Sequence, residues 1–350
     1  MKTKILYEAQ GLPVFQNRMY ATAEEALSAP TGDMQLVQDG TTGLVHNAAF
    51  DPSLVVYDVN YQNEQGHSPR FRAHLATVAE IVARGLGQED LVEVGCGKGF
   101  FLEMLEEAGI GITGFDPAYE GENPAIRKEF FDADAGLSAR GLILRHVLEH
   151  IPDPVAFLME LARANGGTGR IYIEVPCFDW IIEHRAWFDI FYEHVNYFRL
   201  SDFDRIFGNV VESGRIFGGQ YLYVVAELDS LRVPSGADAE PADLPEDFLE
   251  TLERGRSGDS ATVVWGGASK GVIYSLLRAR RGQPVRAVID INPAKQGRHL
   301  AGTGLKVCSP QEVLPDLPAG SAIVVMNSNY LPEIRAVAGD SYTYVGMDRD

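Results

Sequence analysis

Cysteine is scarce in this 350-residue chain, where Cys96, Cys177 and Cys308 are the three present. Spaced so widely, they make neither a disulfide framework nor a metal knuckle, and they point to a reduced, cytoplasmic protein. Apolar runs are short. None reaches the ~18–20 residues needed to cross a bilayer, and the opening Met1-Lys2-Thr3-Lys4-Ile5-Leu6 lacks the apolar stretch of a signal peptide. Basic residues are outnumbered: 30 Lys and Arg against 49 Asp and Glu leave a formal net charge of −19. That field repels phosphate backbones and anionic membranes, so neither nucleic acid nor membrane is an expected partner. A small anionic substrate remains compatible, because one local pocket can override a global field. What is abundant is apolar residue, 45% of the chain, enough for two or three cores.

The chain divides into three blocks. Residues 1–70 read as an irregular N-terminal module with turn signals at Ala29-Pro30-Thr31-Gly32-Asp33 and Asp39-Gly40. Over 71–228, strand and helix signals alternate. Phe71, Leu75, Val78 and Val82 recur at helical spacing; Leu91–Gly95, Gly111–Asp116, Gly141–His146 and Arg170–Val175 read as strands, with helices at Phe100–Glu107 and Pro154–Ala164. A hairpin of Val210–Ile216 and Gln220–Glu227 closes the block. Residues 229–243, rich in Pro, Ala and acids, read as a linker within the third block, 229–350. There a helix is expected near Glu246–Arg254 and strands at Ala261–Trp265, Val285–Asp290 and Ser321–Met326, with a helix over Gly271–Arg280 and another from Pro332. The fold class is α/β, with parallel sheets covered by helices.

Glu93-Val94-Gly95-Cys96-Gly97-Lys98-Gly99 places three glycines at alternate positions between a buried strand and a helix. Such a turn lets a ligand lie against bare main chain beside a helix N-terminus, although it also serves simply to pack strand on helix. The preceding acid repels a pyrophosphate and suits a cationic ligand. Asp116 ends the next strand, where a carboxylate can accept from both ribose hydroxyls. Together with His146-Val147-Leu148-Glu149-His150-Ile151, these residues resemble the class I S-adenosylmethionine-dependent methyltransferases. The resemblance implies a Rossmann-like sheet and S-adenosylmethionine as cofactor, held by Glu93, Gly95, Gly97, Gly99 and Asp116. Asp132 then falls on the adenine side and His146 at the methionine end. Glu149 and His150 are read as caps of the following helix.

Trp187-Phe188-Asp189-Ile190-Phe191-Tyr192-Glu193-His194 packs aromatics around titratable groups. An aromatic core with a satisfied histidine is one account of it. A dry wall beside a carboxylate and an imidazole is also what general-base chemistry requires. This stretch, following Glu174-Val175-Pro176, resembles the sugar C-methyltransferases that act on nucleotide-linked keto-deoxysugars. By that resemblance His194 is the base, Glu193 its orienting partner, and Tyr192 a hydroxyl displaced by one position, since Phe191 stands where the family has tyrosine.

The third block extends the resemblance. Val264-Trp265-Gly266-Gly267-Ala268-Ser269-Lys270-Gly271 is a second strand–glycine–helix turn whose backbone and Lys270 suit phosphate. Asp290-Ile291-Asn292-Pro293-Ala294-Lys295-Gln296-Gly297 and Ser328-Asn329 match the family's smaller Rossmann-like C-terminal domain. Gly267, Ser269, Lys270, Asp290, Asn292, Lys295 and Asn329 are thereby implied to hold a nucleotide-sugar. The N-terminal module departs from the family. Tyr7-Glu8-Ala9-Gln10-Gly11 and Asp39-Gly40-Thr41-Thr42-Gly43 keep the spacing of two zinc knuckles without a cysteine, so no metal is expected there. The expected activity is methyl transfer to a carbon of a nucleotide-linked sugar through an enolate. Transfer to a sugar oxygen, or binding without catalysis, is the alternative.

Overall fold

The computed structural model describes residues 2–55, 66–253 and 262–348. The alternating signals of the second block build a seven-stranded sheet. Its order across the sheet is Val210–Ile216, Tyr221–Glu227, Arg170–Pro176, Gly141–Arg145, Leu91–Val94, Ile112–Phe115 and Ile126–Arg127. Numbered along the chain, that is 6-7-5-4-1-2-3. Strand 7 runs antiparallel to both its neighbours, while the remaining pairs are parallel. Leu91–Val94 is buried at every position, as expected of a strand covered on both faces. Where the order reverses, between Leu91–Val94 and Gly141–Arg145, loops diverge to opposite faces and leave a crevice beyond the carboxyl ends.

A second, five-stranded parallel sheet follows. Its order is Val307–Cys308, Ala287–Ile289, Thr262–Trp265, Ala322–Val325 and Thr343–Gly346. The helix Ser269–Arg280 lies so close to the turn before it that a Cβ on Gly271 would stand 1.9 Å from the Gly266 carbonyl oxygen. The expected helix at Glu246–Arg254 is a 3-10 turn over Glu250–Glu253, and Arg254 and Ala261 lie outside the described residues.

Two expectations are corrected. The N-terminal module is not irregular: Lys4–Pro13, Thr31–Gln38 and Val45–Asn47 form an antiparallel sheet, whose fourth strand is Asn196–Tyr197 from the second block. Register shifts between Ile5 and Tyr7 and between Ala9 and Leu12 break the alternation that marks a strand in sequence. Residues 229–243 are also not a loose linker. Ala242 N–H donates to Gln38 Oε1 at 2.9 Å and Gln38 Nε2 donates to the Glu240 carbonyl at 2.8 Å, with Gln38 buried. The segment is a strap laid on the N-terminal sheet.

Candidate active site

The carboxyl ends of the parallel strands in the two sheets face each other across one cavity of about 680 Å³. Glu93, Gly95 and Gly97 line it from the larger sheet, Trp265, Asp290 and Asn292 from the smaller, and Phe191 and His194 from the aromatic segment.

The glycine turn divides its labour. A Cβ on Gly95 would meet Val147 at 2.6 Å and one on Gly99 would meet Ile126 at 2.5 Å, whereas Gly97, with φ +58°, has nothing within 4 Å. Gly95 and Gly99 therefore pack the turn, and Gly97 exposes main chain to a ligand. Asp116 fixes the turn from the next strand, accepting Gly97 N–H at 2.8 Å and Ala118 N–H at 2.8 Å. Asp132 instead accepts Asp134 N–H, capping the 3-10 turn Ala133–Ala135, and it does not line the cavity.

Behind the turn lies a buried charge cluster. Glu93 has an oxygen, Oε2, buried without a hydrogen-bond partner. Burial pushes its carboxyl up to about 7, with Glu174 and Asp116 adding to the rise against the pull of Arg145. Burial would raise Glu174 too, but Arg145 and hydrogen bonds from His146 and His74 outweigh it and hold Glu174 well below the usual range. His146 takes φ +52° to place Nε2 3.0 Å from Glu174 and Nδ1 3.3 Å from Glu149. Those two bonds overcome burial and push His146 up to about 9. It is an imidazolium at neutral pH.

His194 is the reverse case. Burial, followed by the charges of His150, His146 and Lys270, holds it well below its ordinary value, so it is a neutral imidazole. Phe191 covers its ring at 4.0 Å and His150 meets it edge-on at 4.9 Å. Val195 N–H donates to the Glu149 carbonyl at 2.8 Å, which brings His194 beside Glu149 and His150. The expectation that these two cap the next helix fails: Asp153 caps Pro154–Ala164 through Ala156 N–H. Leu148–His150 is a separate 3-10 turn in the cavity wall.

Tyr192 and Glu193 point elsewhere. The Tyr192 hydroxyl accepts Asp51 N–H at 2.7 Å and donates to the Asp51 carbonyl at 3.3 Å, while its ring packs on Phe50 at 5.3 Å. Glu193 Oε1 accepts Gln16 N–H at 3.2 Å. Neither lines the cavity. Phe191–His194 is a turn closed by His194 N–H donating to the Phe191 carbonyl at 3.2 Å, so with Phe191 and His194 turned inward the two central residues tie the segment to the N-terminal module.

In the third block, Ala268, Ser269 and Lys270 line the cavity at a helix start with no side-chain cap. Lys270 is not an unengaged phosphate ligand: Nζ stands 3.0 Å from Asp189 Oδ2 and lies over the Trp180 ring at 5.0 Å. Asp290 accepts Gly267 N–H at 2.9 Å and Asn292 N–H at 2.8 Å, with Lys295 Nζ 3.6 Å away. Asn329 donates to the Phe217 carbonyl at 2.8 Å and does not line the cavity. Asn327, two residues earlier and without a motif signal of its own, lines it instead and donates to Gln220 Oε1 at 2.7 Å.

Sheet order, acid-led glycine turn and crevice are those of the class I S-adenosylmethionine-dependent methyltransferase fold. Residues 63–210 match the family described as a methyltransferase domain. The chain is 26% identical over 312 residues to the C-methyltransferase NovU of Streptomyces niveus, spanning 75% of this chain and 72% of that one. Among solved structures, it resembles a SAM-dependent methyltransferase from Archaeoglobus fulgidus, with TM-score 0.36, 19% identity, and coverage of 46% of this chain and 95% of that one. It also resembles the 1,6-didemethyltoxoflavin-N1-methyltransferase of Burkholderia thailandensis, with TM-score 0.33, 17% identity, and coverage of 44% and 78%.

The residues present fit S-adenosylmethionine. An unpaired buried carboxylate oxygen on Glu93 matches an α-ammonium, and the open face of Gly97 admits close approach. When bound, the cofactor supplies an electrophilic methyl group.

Proposed function

We propose that the chain methylates a carbon of a nucleotide-linked keto-sugar, with His194 as the base that removes the proton beside the ketone. The observation that carries this reading is that the neutral imidazole of His194 lines the same cavity as Glu93 and Gly97. Removing that proton breaks a C–H bond and leaves its electron pair as an enolate, the carbon nucleophile. The proton passes to His194, and the Glu149 carboxylate close to it offsets the new positive charge. Phe191 covers the ring and excludes water. Glu93 and the Gly97 main chain hold the cofactor's amino-acid end, and Asp116, which does not itself line the cavity, fixes Gly97 from the end of the next strand, the expected side of the ribose. The similarity to a C-methyltransferase supports transfer to carbon.

Across the cavity, the uncapped start of Ser269–Arg280 and the paired Lys270 and Lys295 offer N–H groups and positive charge for a diphosphate. Asp290 and Asn292 stand at the end of the second strand of that sheet, the position of a ribose contact. The test is the product. Nucleotide-linked keto-sugars incubated with enzyme and S-adenosylmethionine should yield a C-methyl resonance by NMR. An O-methyl resonance would overturn the carbon assignment.

A further inference from the structure

Glu149 has a buried carboxylate (1% exposed) whose Oε2 finds no hydrogen-bond partner. The other oxygen, Oε1, takes His146 Nδ1 at 3.3 Å, so Oε2 alone is left over; an unpaired buried carboxylate oxygen is costly, and a bound metal ion would satisfy it. One ligand atom from each of Glu149, His150 and His194 lies within 4.8 Å of the others. His150 Nδ1 is 2.9 Å from the Glu193 carbonyl. A carbonyl only accepts, so the proton sits on Nδ1 and Nε2 carries the lone pair. This outer contact is the kind that orients metal-bound imidazoles. All three residues line the cavity, which provides an entry path.

We propose that Glu149, His150 and His194 form a binding site for a divalent transition metal of the zinc class. Two imidazole nitrogens and one carboxylate oxygen suit zinc or cobalt, with the remaining positions open to the cavity. Ligand atoms around such an ion stand roughly 3.4 Å apart, so the three side chains close by about an ångström on binding. Occupation takes the lone pair that His194 needs as a base, and the metal therefore inhibits methyl transfer. That consequence, unlike the site itself, rests on the function proposed above.

The test is titration of the chelator-treated full chain with Co²⁺, followed by its visible absorption and by calorimetry. One equivalent should bind, and Glu149→Gln and His150→Gln should each weaken it by ~10-fold or more. Should Glu149→Gln lose its native circular dichroism, His150→Gln carries the comparison. Failure to bind one equivalent, or unchanged affinity in both variants, would overturn the site and leave the methyltransferase reading intact. Turnover of a nucleotide-linked keto-sugar should fall as the cobalt absorption saturates. Full turnover at saturation would overturn the inhibition and the base assignment, with the metal site standing.

Discussion

The Lys270 ammonium lies 3.0 Å from the Asp189 carboxylate, an ion pair that ties the first helix of the smaller sheet to the aromatic segment of the larger domain. Both side chains are largely buried, 13% and 6% exposed, and Trp180 and Phe188 flank the ammonium at 5.0 and 5.8 Å. Removing one partner strands the other charge away from water. Asp189→Ala should therefore cost about 3–5 kcal/mol of unfolding free energy. Urea denaturation measures the loss, and the double variant Asp189→Leu with Lys270→Met should recover most of it.

Glu93 should make cofactor binding depend on pH. Burial pushes its carboxyl up to about 7 in the free protein, and an ammonium ligand favours the ionised form. Affinity for S-adenosylhomocysteine should thus rise as pH increases through 7 and level off above it. Binding near pH 7 should release protons from this group. Calorimetry in buffers of different ionisation enthalpy reads that release, and Glu93→Gln should abolish the slope. A slope that persists in the variant would show that another group titrates.

His194→Asn should lower turnover by ~100-fold or more while leaving S-adenosylhomocysteine affinity unchanged. The wild-type base is held well below its ordinary value of 6.5. It therefore stays neutral as pH falls, and kcat should show no acid limb at the usual imidazole position. A limb centred near 6.5 would contradict the burial described here.

Tyr192→Phe separates a clamp from a catalytic hydroxyl. The lost group holds both the N–H and the carbonyl of Asp51, so the variant should be less stable by about 1–2 kcal/mol. Its kcat should stay within a factor of two or so of wild type. A fall of ~100-fold would return Tyr192 to the chemistry.

In His150→Gln, which lacks a ligand of the cavity metal site proposed above, chelator should leave the melting temperature unchanged, because hydrogen bonds close the loops that the resemblance aligns with zinc knuckles. Asp39 Oδ1 accepts the N–H groups of Thr41 and Thr42 at 2.9 and 2.7 Å. The Arg280 guanidinium donates to the Gln10 and Gly11 carbonyls, each at 2.7 Å. Arg280→Ala, by contrast, should lower the melting temperature by several degrees, measured by differential scanning calorimetry.

The two parallel sheets and both glycine turns were legible in the sequence, because period, β-branched runs and turn glycines are local properties written within about ten residues. Glu93, Asp116, His194 and Asp290 were legible as candidates for the same reason, each standing at a fixed offset from a strand end or motif. Which side chains face the cavity was decided elsewhere. Tyr192 and Glu193 turn to the N-terminal module because Asn196–Tyr197 pairs with Val45–Asn47, a contact between residues about 150 positions apart that no local pattern records. The same pairing carries His194 to Glu149 and His150, so three residues that read as a base and two helix caps become one cluster. Lys270 met its carboxylate partner in the same way, across the gap between the two sheets. Side-chain direction follows long-range strand pairing and rotamer packing, and these exist only once the tertiary fold has formed.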